Sequence, residues 1–300
     1  LGKIRVCRFR NDKMKKVISF SLWGDSVGYL VGGIINADRA EKYWQDWTCR
    51  FYISPDVPTC FIEELAKRKN VEIIIMPKPE SWNGMFWRFY PCSDPEVDVM
   101  ISRDSDSWLN IRDKAAVDEW LESDKDFHII RDCCQHGWHI CGGLWGARNG
   151  ILSNMTTMIN EFGAKETYNR HGIDQMFLKD IVYPIVQPDA YVHDDWFDGF
   201  PGEVKHPLPI PRLRGKGWDK QEFPKWHCGH EDDKDRFPIG IIDEDIYYDK
   251  EKKEYKPMPC CGVYHDNEYI GKQERVWGRY ARRYADVIEC INQDIARRSK

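Results

Sequence analysis

Two aspartates, Asp104 and Asp106, flank a single serine shortly after the apolar segment 97–101. Hard divalent cations prefer oxygen ligands and retain water or phosphate oxygens among them. In open α/β sheets, ligands bind outside the carboxyl ends of the strands. The spacing therefore indicates a metal site that accepts a phosphorylated ligand. The alternative is a pair of solvated aspartates, because short motifs also arise by chance.

Basic and histidine side chains are candidates for the same site. Arg103 precedes Asp104 directly, and Arg88 lies in the segment that leads into the same strand. Guanidinium groups bind diphosphates through charge-assisted contacts, although either arginine can instead form a surface ion pair. His193 follows the apolar turn 184–192 and is a candidate third ligand, since a mixed set of carboxylates and imidazole suits Mn²⁺. Its alternative role is that of a hydrogen-bonded structural histidine.

Three further aspartates are candidates for the catalytic base. Asp174 lies at the start of a predicted helix, where it can also serve as a first-turn carboxylate. Asp132 follows the predicted strand 127–130, and Asp195 closely follows His193. A carboxylate near an acceptor hydroxyl can take its proton during attack. The sequence leaves all three aspartates open for this role.

Two short segments are candidates for contacts with a nucleotide. Ser21, Leu22 and Trp23 end the first predicted strand, where a base can lie at the sheet edge. The alternative is an ordinary strand exit with Trp23 in the core. Gly142 and Gly143 open a glycine-rich segment, which suits close approach of the backbone to a ligand or a bend in a strand.

The elements that must position these residues alternate between strand-like and helix-like patterns. This alternation, with continuously apolar strands, predicts an α/β fold whose central, mainly parallel sheet is flanked by helices. A loop-rich C-terminal extension follows, with a hairpin over 246–255 and a terminal helix over 276–296. The predicted strands are 17–22, 50–53, 71–76, 97–101 and 127–130.

Composition narrows the class of protein. A net charge of −5 argues against sequence-independent nucleic-acid binding, which needs a basic surface. No apolar stretch approaches the roughly 20 residues of a membrane span. Eleven scattered cysteines, an odd number, favour reduced thiols in a cytosol-like compartment over a disulfide framework. These features predict a cytoplasmic protein that binds neither nucleic acid nor a bilayer.

Together, these motifs resemble metal-dependent glycosyltransferases of the GT-A fold, most closely those encoded by large algal (chlorella) viruses. The resemblance covers roughly residues 17–200, and the last hundred residues match no family motif. It implies a GT-A-like core over 1–200, with 201–300 completing the same domain on the acceptor side or as a structural element. The segments that carry it are 82–90, the Asp-x-Asp segment 102–107, 116–121, 142–146 and 174–178.

The resemblance also implies the chemistry. The donor is a nucleotide-sugar, most often a UDP-sugar, whose diphosphate binds Mn²⁺ or Mg²⁺, and the acceptor is a hydroxyl of a glycan or glycoprotein. For a viral enzyme the location is the host cytoplasm. Asp174 aligns with the acidic residue on the sugar side of the site. The residues assigned to the donor are Ser21, Leu22, Trp23, Arg88, Arg103, Ser105, Gly142 and Gly143, and those assigned to the metal are Asp104, Asp106 and His193.

Three other functions compete with this interpretation. A phosphatase with an aspartyl nucleophile also carries Asp-x-Asp after an apolar strand, but usually on the first strand of the fold, whereas here three predicted strands come before the strand that leads to Asp104. A sugar nucleotidyltransferase needs a glycine-rich, basic loop after its first strand, and the segment 21–25 lacks one. A non-catalytic carbohydrate-binding module is supported only by the aromatic content.

Overall fold

The computed structural model describes residues 14–79, 81–132, 136–165, 171–195, 197, 199–210, 246–249, 254–257 and 284–298. Eight of the strands in these residues form one sheet, and two more form a separate antiparallel hairpin. The sheet strands are β1 (Lys16–Leu22), β2 (Trp47–Ile53), β3 (Val71–Ile75), β4 (Val99–Ser102), β5 (Phe127–Arg131), β6 (Trp145–Arg148), β7 (Ala190–Asp194) and β8 (Lys205–His206). The hairpin strands are β9 (Ile246–Asp249) and β10 (Glu254–Pro257).

Helices cover the sheet and carry several of the candidate site residues. The long 3₁₀ helix (Ser81–Ser93) is called the aromatic helix below, because it carries Trp82, Phe86, Trp87 and Phe89. A π-helical turn (Leu178–Val182) and a 3₁₀ turn (Gln187–Asp189) lie in the segment before β7. The α-helices are α1 (Val27–Tyr43), α2 (Thr59–Leu65), α3 (Ile111–Glu122), α4 (Met155–Lys165), α5 (Ile173–Phe177), α6 (Tyr183–Val186) and α7 (Ala285–Arg298).

The strand order is β3-β2-β1-β4-β6-β5-β7-β8, and β6 is antiparallel to both of its neighbours. The other pairs in the sheet are parallel. The predicted α/β fold, with a central, mainly parallel sheet flanked by helices, is therefore confirmed. The predicted hairpin is also present. The terminal helix predicted over 276–296 is found over Ala285–Arg298, and residues 276–283 of that prediction lie outside the described residues. Strand β6 was not predicted, and the expected apolar turn over 184–192 is instead helix α6 followed by β7.

Apolar side chains cover both faces of the sheet, and most residues of β1, β2, β4 and β5 are therefore buried. On one face, Phe20 stacks on Phe51 with ring centroids 4.8 Å apart, beneath α1. On the other face, Phe89 of the aromatic helix contacts Trp145 and Phe177, with ring centroids 5.2 and 6.5 Å away. Because Phe89 is anchored in this way, the position of its neighbour Arg88 is set by the core.

The antiparallel pairing of β4 with β6 aligns the two segments that follow and precede these strands. Ser102, the last residue of β4, pairs with Trp145, the first residue of β6. In an antiparallel pair, one step forward along one strand matches one step back along the other. The register therefore brings Asp104 next to Gly143.

The C-terminal helix α7 packs on the first half of the chain. Ile291 is fully buried, and the hydroxyl of Tyr284 donates a hydrogen bond to Asp38 of α1. A disulfide joins Cys60 of α2 to Cys290 of α7. The expectation of reduced thiols is wrong for this pair, because the two cysteines are 230 residues apart and only the packing of α7 brings them together.

Of the remaining cysteines, Cys141 is buried, and the others divide into two groups. Cys49 and Cys92 are buried free thiols, and burial raises their pKa strongly. For Cys7, Cys133, Cys134, Cys228, Cys260 and Cys261 the expectation lies outside the described residues. Among the described residues, no helix is both long enough and apolar enough to cross a membrane.

Two histidines face each other inside the sheet. The Nε2 atom of His128 on β5 lies 2.8 Å from Nδ1 of His193 on β7, and both residues are fully buried. Trp120 stacks on His128, and Glu119 lies 3.7 Å from Nε2 of His193. Burial lowers the pKa of His128 well below 6.5 and that of His193 to about 4. Both imidazoles are therefore neutral at pH 7.

We expect this pair to make the protein sensitive to acid. Between about pH 4 and 6.5 the unfolded chain binds more protons at these histidines than the folded protein does. The free energy of unfolding should therefore fall with falling pH in this window, by up to about 1.4 kcal/mol per pH unit for each histidine. The free energy of unfolding, measured by urea unfolding at several pH values, should depend less steeply on pH in His128→Gln than in wild type. Equal slopes would contradict the prediction.

Removal of the disulfide should destabilise the protein by about 2–5 kcal/mol, because the cross-link restricts the unfolded chain. Cys60→Ser, Cys290→Ser and the double variant should all lose the same amount in urea unfolding without reductant. A double variant that is clearly less stable than either single variant would mean that the two sulfurs do not act as one bond. Peptide mapping under non-reducing conditions provides the direct control.

Candidate functional site

The loop after β4 is held against helix α1. The Asn36 side chain of α1 donates hydrogen bonds to the carbonyls of Ser105, at 3.1 Å, and Ser107, at 3.3 Å. A Cβ atom at Gly32 would lie 2.1 Å from the Ser105 carbonyl oxygen, so the loop requires a glycine there. Ser105 therefore contributes its backbone to the loop, and its neighbours Asp104 and Asp106 are placed at the carboxyl edge of the sheet.

Arg88 connects two of the predicted site carboxylates. Its Nη1 donates a hydrogen bond to Asp104 Oδ1, and its Nη2 donates to Asp174 Oδ2 at 2.8 Å. The backbone N–H of Arg88 donates to Ser21 Oγ at 2.9 Å, which ties the aromatic helix to the end of β1. Asp174 is fully buried, whereas the Asp104 side chain is 42% exposed. The ion pairs thus run from the interior to the surface.

Two polar atoms of this cluster have no hydrogen-bond partner within the described part of the chain. They are Arg88 Nε and Asp174 Oδ1, and both are buried. Burial raises the pKa of Asp174 although Arg88 opposes the shift. Burial alone would lower the pKa of Arg88, but Asp104 and Asp174 outweigh it and raise that pKa. The cluster therefore keeps a cationic guanidinium and retains unused hydrogen-bonding capacity.

The glycine pair before β6 makes room for these ion pairs. A Cβ atom at Gly142 would lie 2.6 Å from both Arg88 Nη2 and Asp174 Oδ2. At Gly143 it would lie 2.1 Å from Asp104 Oδ2 and 2.9 Å from the Asp104 backbone nitrogen. Any larger residue would have to displace the carboxylates. The sequence predicted that the backbone at Gly142 and Gly143 approaches a ligand closely, and in the structure protein side chains lie at that distance.

Asp106 differs from Asp104 in its electrostatics. Its carboxyl reaches solvent, but it lies among crowded protein atoms. Loss of hydration, followed by repulsion from Asp104, raises its pKa to about 6, and Arg88 only partly offsets this. Two adjacent carboxylates that repel each other in this way are a favourable place for a cation.

Arg103 is not brought to the acidic pair. It is 1% exposed, and its Nε and Nη2 bind both oxygens of Asp113 on α3 at 2.9 and 2.6 Å. Its Nη1 donates to the carbonyls of Ser102, at 2.7 Å, and Trp145, at 3.2 Å. The side chain thus joins β4, β6 and α3 inside the protein, and the structure places it away from any diphosphate at the sheet edge.

The end of β1 contributes in three different ways. Ser21 anchors Arg88, as described above, whereas Leu22 is buried in the core. Trp23 is partly exposed and packs edge-on against Trp87 with ring centroids 6.3 Å apart. Gly84 lies under the same indole, since a Cβ there would be 2.9 Å from Trp23. Trp23 is therefore the residue of this segment that remains accessible at the sheet edge.

His193 is also separated from the acidic pair. Its ring is fully buried between His128 and Glu119, as described for the sheet interior. Among the residues that the structure describes, no three His, Cys, Asp or Glu side chains are arranged to hold a metal ion. Within the described residues, Asp104 and Asp106 are therefore the predicted metal ligands that lie together at the sheet edge.

The two other candidate bases share one arginine. Arg112 is fully buried, and it donates hydrogen bonds from Nη1 to Asp132 and from Nη2 to Asp195, the latter at 2.6 Å. Asp195 also accepts a bond from the Leu208 backbone at 3.0 Å, and Arg112 Nε donates to the Ile210 carbonyl at 2.6 Å. These contacts hold the segment after β8 across the sheet edge, so both aspartates have a structural role.

Two residues of the site were missed in the sequence. Tyr29, in the first turn of α1, is 49% exposed, and repulsion from Asp106, followed by burial and Asp104, raises its pKa. Its hydroxyl therefore lies near both carboxylates. Gln175 accepts a hydrogen bond from the Gly142 backbone at 3.0 Å and joins the glycine pair to α5. Gln175 lies in the segment 174–178, which carries the family resemblance, but it was not assigned a role. No local pattern in the sequence indicated Tyr29.

Comparison with known proteins gives matches only at the level of structure. No family model and no curated protein matches the chain. One matching structure is a glycosyltransferase involved in glycosylation of the major capsid of PBCV-1, with 13% identity and TM-score 0.39 over 61% of this chain and 82% of the other. Another is a mannosyltransferase from Pyrobaculum calidifontis in complex with GDP-Man and Mn²⁺, with 10% identity and TM-score 0.42 over 66% and 58%.

A third matching structure is the 4-diphosphocytidyl-2C-methyl-D-erythritol synthase from Anaerococcus prevotii. Its identity is 10% and its TM-score 0.39, over 65% of this chain and 92% of the other. All three structures are thus similar to this chain only distantly. At such identities and TM-scores, these similarities establish no activity for this protein.

Proposed function

We propose that this protein is a metal-dependent glycosyltransferase that moves a sugar from a nucleotide-sugar, a UDP-sugar, to a hydroxyl of a glycan or glycoprotein. The observation that carries the proposal is the bridging of Asp104 and Asp174 by Arg88 at the carboxyl edge of the sheet. That edge is where α/β sheets bind their ligands. A guanidinium between an exposed and a buried carboxylate suits a ligand that carries both a diphosphate and a sugar.

The donor set at this edge fits a hard divalent cation. Asp104 and Asp106 supply carboxylate oxygens, and their mutual repulsion is relieved when a cation binds. Because His193 lies elsewhere, the described residues would offer two carboxylates, and phosphate and water are the further ligands that Mg²⁺ and Mn²⁺ accept. When bound, the ion stabilises the negative charge of a departing nucleoside diphosphate as a Lewis acid.

The chain's own residues then divide the work of transfer. Arg88 adds positive charge where the leaving diphosphate develops negative charge. Asp174 lies behind it, and its unpartnered Oδ1 is an acceptor for a sugar or acceptor hydroxyl. Trp23 offers an aromatic face at the end of β1 for the nucleotide base. Asp174 shares Arg88 with Asp104, whereas Asp132 and Asp195 pair with Arg112, so Asp174 is the better candidate for the catalytic carboxylate.

Donor binding is the direct test of this proposal. A thermal-shift screen of UDP- and GDP-sugars with and without Mn²⁺ should show a metal-dependent rise in melting temperature, since ligands that bind the native state stabilise it. Asp104→Asn should abolish that rise while the protein stays folded. Asp118→Asn, an exposed aspartate on α3, is the matched control and should respond like wild type.

The products of turnover separate the competing functions. A glycosyltransferase releases a nucleoside diphosphate from the sugar nucleotide, whereas a nucleotidyltransferase releases or consumes pyrophosphate. Release of phosphate from simple phosphoesters, lost in Asp104→Asn, would instead establish the aspartyl phosphatase. Binding of glycans without metal or nucleotide would point to a carbohydrate-binding module.

Gly143→Ala tests whether the close packing of Asp104 against Gly143 positions the proposed metal ligand. The added methyl group must displace the Asp104 carboxylate and its backbone, so affinity for Mn²⁺ with nucleotide should fall by about tenfold or more. Gly163→Ala on α4 is the matched control, because a Cβ there meets no atom within 4 Å and alanine favours a helix. Isothermal titration should show a large loss for the first variant and none for the second. If Gly143→Ala and Gly163→Ala bind Mn²⁺ with nucleotide equally well, the proposed role of Gly143 in positioning Asp104 is wrong.

A further inference from the structure

We infer that Arg88 is an exchangeable cation: a divalent metal ion displaces it from Asp104, and the released guanidinium then binds the diphosphate. This inference rests on the proposed function and adds a coupling between metal and nucleotide. The structure shows Arg88 bonded to Asp104, a proposed metal ligand, through Nη1. A metal ion and the Arg88 guanidinium would therefore compete for the same Asp104 oxygen.

The surroundings of Asp104 sharpen that competition. Oδ1 accepts the bond from Arg88, while Oδ2 lies against Gly143, at 2.1 Å from the position of a Cβ there. One oxygen is therefore taken by the guanidinium and the other faces the protein backbone. A cation that binds at Oδ1 therefore competes with the guanidinium that already holds this oxygen.

Arg88 is built to remain in place after it leaves Asp104. Its Nη2 stays bonded to the fully buried Asp174 at 2.8 Å, and its backbone is tied to Ser21 at 2.9 Å. Displacement frees Nη1, and Nε has no partner among the described residues even before that. Nη1 is then available to phosphate oxygens, which bind guanidinium through charge-assisted hydrogen bonds, whereas Nε is buried.

The charge balance explains why the exchange favours both ligands together. The guanidinium of Arg88 pairs with Asp104 through Nη1 and with Asp174 through Nη2, and Asp106 adds a third carboxyl group two residues after Asp104. A metal ion alone must break an ion pair in order to bind. A nucleoside diphosphate gives the displaced guanidinium a new anionic partner. Each ligand should therefore strengthen the binding of the other by the same factor.

The test is a thermodynamic cycle with Mn²⁺ and UDP as probes. Mn²⁺ affinity is measured by electron paramagnetic resonance with and without UDP, corrected for the Mn²⁺–UDP complex in solution. In wild type, UDP should tighten Mn²⁺ binding about tenfold or more. In Arg88→Gln, Mn²⁺ alone should bind several-fold more tightly than in wild type, and the strengthening by UDP should largely disappear.

Two further variants keep the result interpretable. Arg88→Gln leaves the buried Asp174 unpaired, which can destabilise the protein, so Arg88→Gln with Asp174→Asn repeats the test without a buried unpaired charge. Arg50→Gln is the matched control. Arg50 is also buried and also bridges two carboxylates, those of Glu72 and Asp94, each at 2.7 Å. Its loss should leave Mn²⁺ affinity and its coupling to UDP unchanged.

The outcomes separate this inference from the proposed function. If Asp104→Asn abolishes Mn²⁺ binding but both Arg88 variants bind Mn²⁺ alone no more tightly than wild type, the exchange is wrong and the metal site stands. If Asp104→Asn binds Mn²⁺ like wild type, both are overturned. Tighter Mn²⁺ binding in both Arg88 variants, with loss of coupling to UDP, supports the exchange.

Discussion

The antiparallel pairing of β4 with β6 is the constraint on which the site depends. It matches Ser102 with Trp145 and so places the glycine pair beside the carboxylates that follow β4. A parallel strand at this place would begin at the opposite edge of the sheet and bring no backbone to Asp104. The pairing also explains why Gly142 and Gly143 are needed, because the room that a Cβ would take is filled by Arg88, Asp104 and Asp174.

Buried arginine–carboxylate pairs hold the rest of the sheet edge together. Arg103 binds Asp113, Arg112 binds Asp132, and Arg131 binds Glu203 through two bonds of 2.7 Å each. In these pairs both side chains are almost fully buried. Breaking such a pair leaves an uncompensated charge and is strongly destabilising, so they are suited to structural roles.

Arg88 differs from these arginines because one of its two partners is accessible. Asp104 is 42% exposed, whereas Asp174 on the other side is not exposed at all. Exchange of the outer partner costs less than loss of the inner one, since the exposed carboxylate is stabilised by water. The same guanidinium can therefore serve both the fold and a ligand.

The local pattern of the sequence determined the fold class and the position of the acidic pair. Strand-like runs of four to six residues and the spacing of helical faces depend only on neighbours in the chain, so they can be read directly from the sequence. The Asp-x-Asp segment could be placed after a strand for the same reason. Strand β6 was not predicted because it has only four residues, Trp145–Arg148, and the two glycines shortly before it obscure a strand pattern.

Tertiary structure alone decided which residues share the site. Arg88 and Arg103 looked equivalent in the sequence, yet one faces Asp104 and the other lies inside the protein against Asp113. The contact between Arg88 and Asp174 joins residues 86 positions apart, and the disulfide joins residues 230 apart. Such contacts depend on strand order, register and helix packing. Local residue preferences carry no information about them, and only the folded chain brings these partners together.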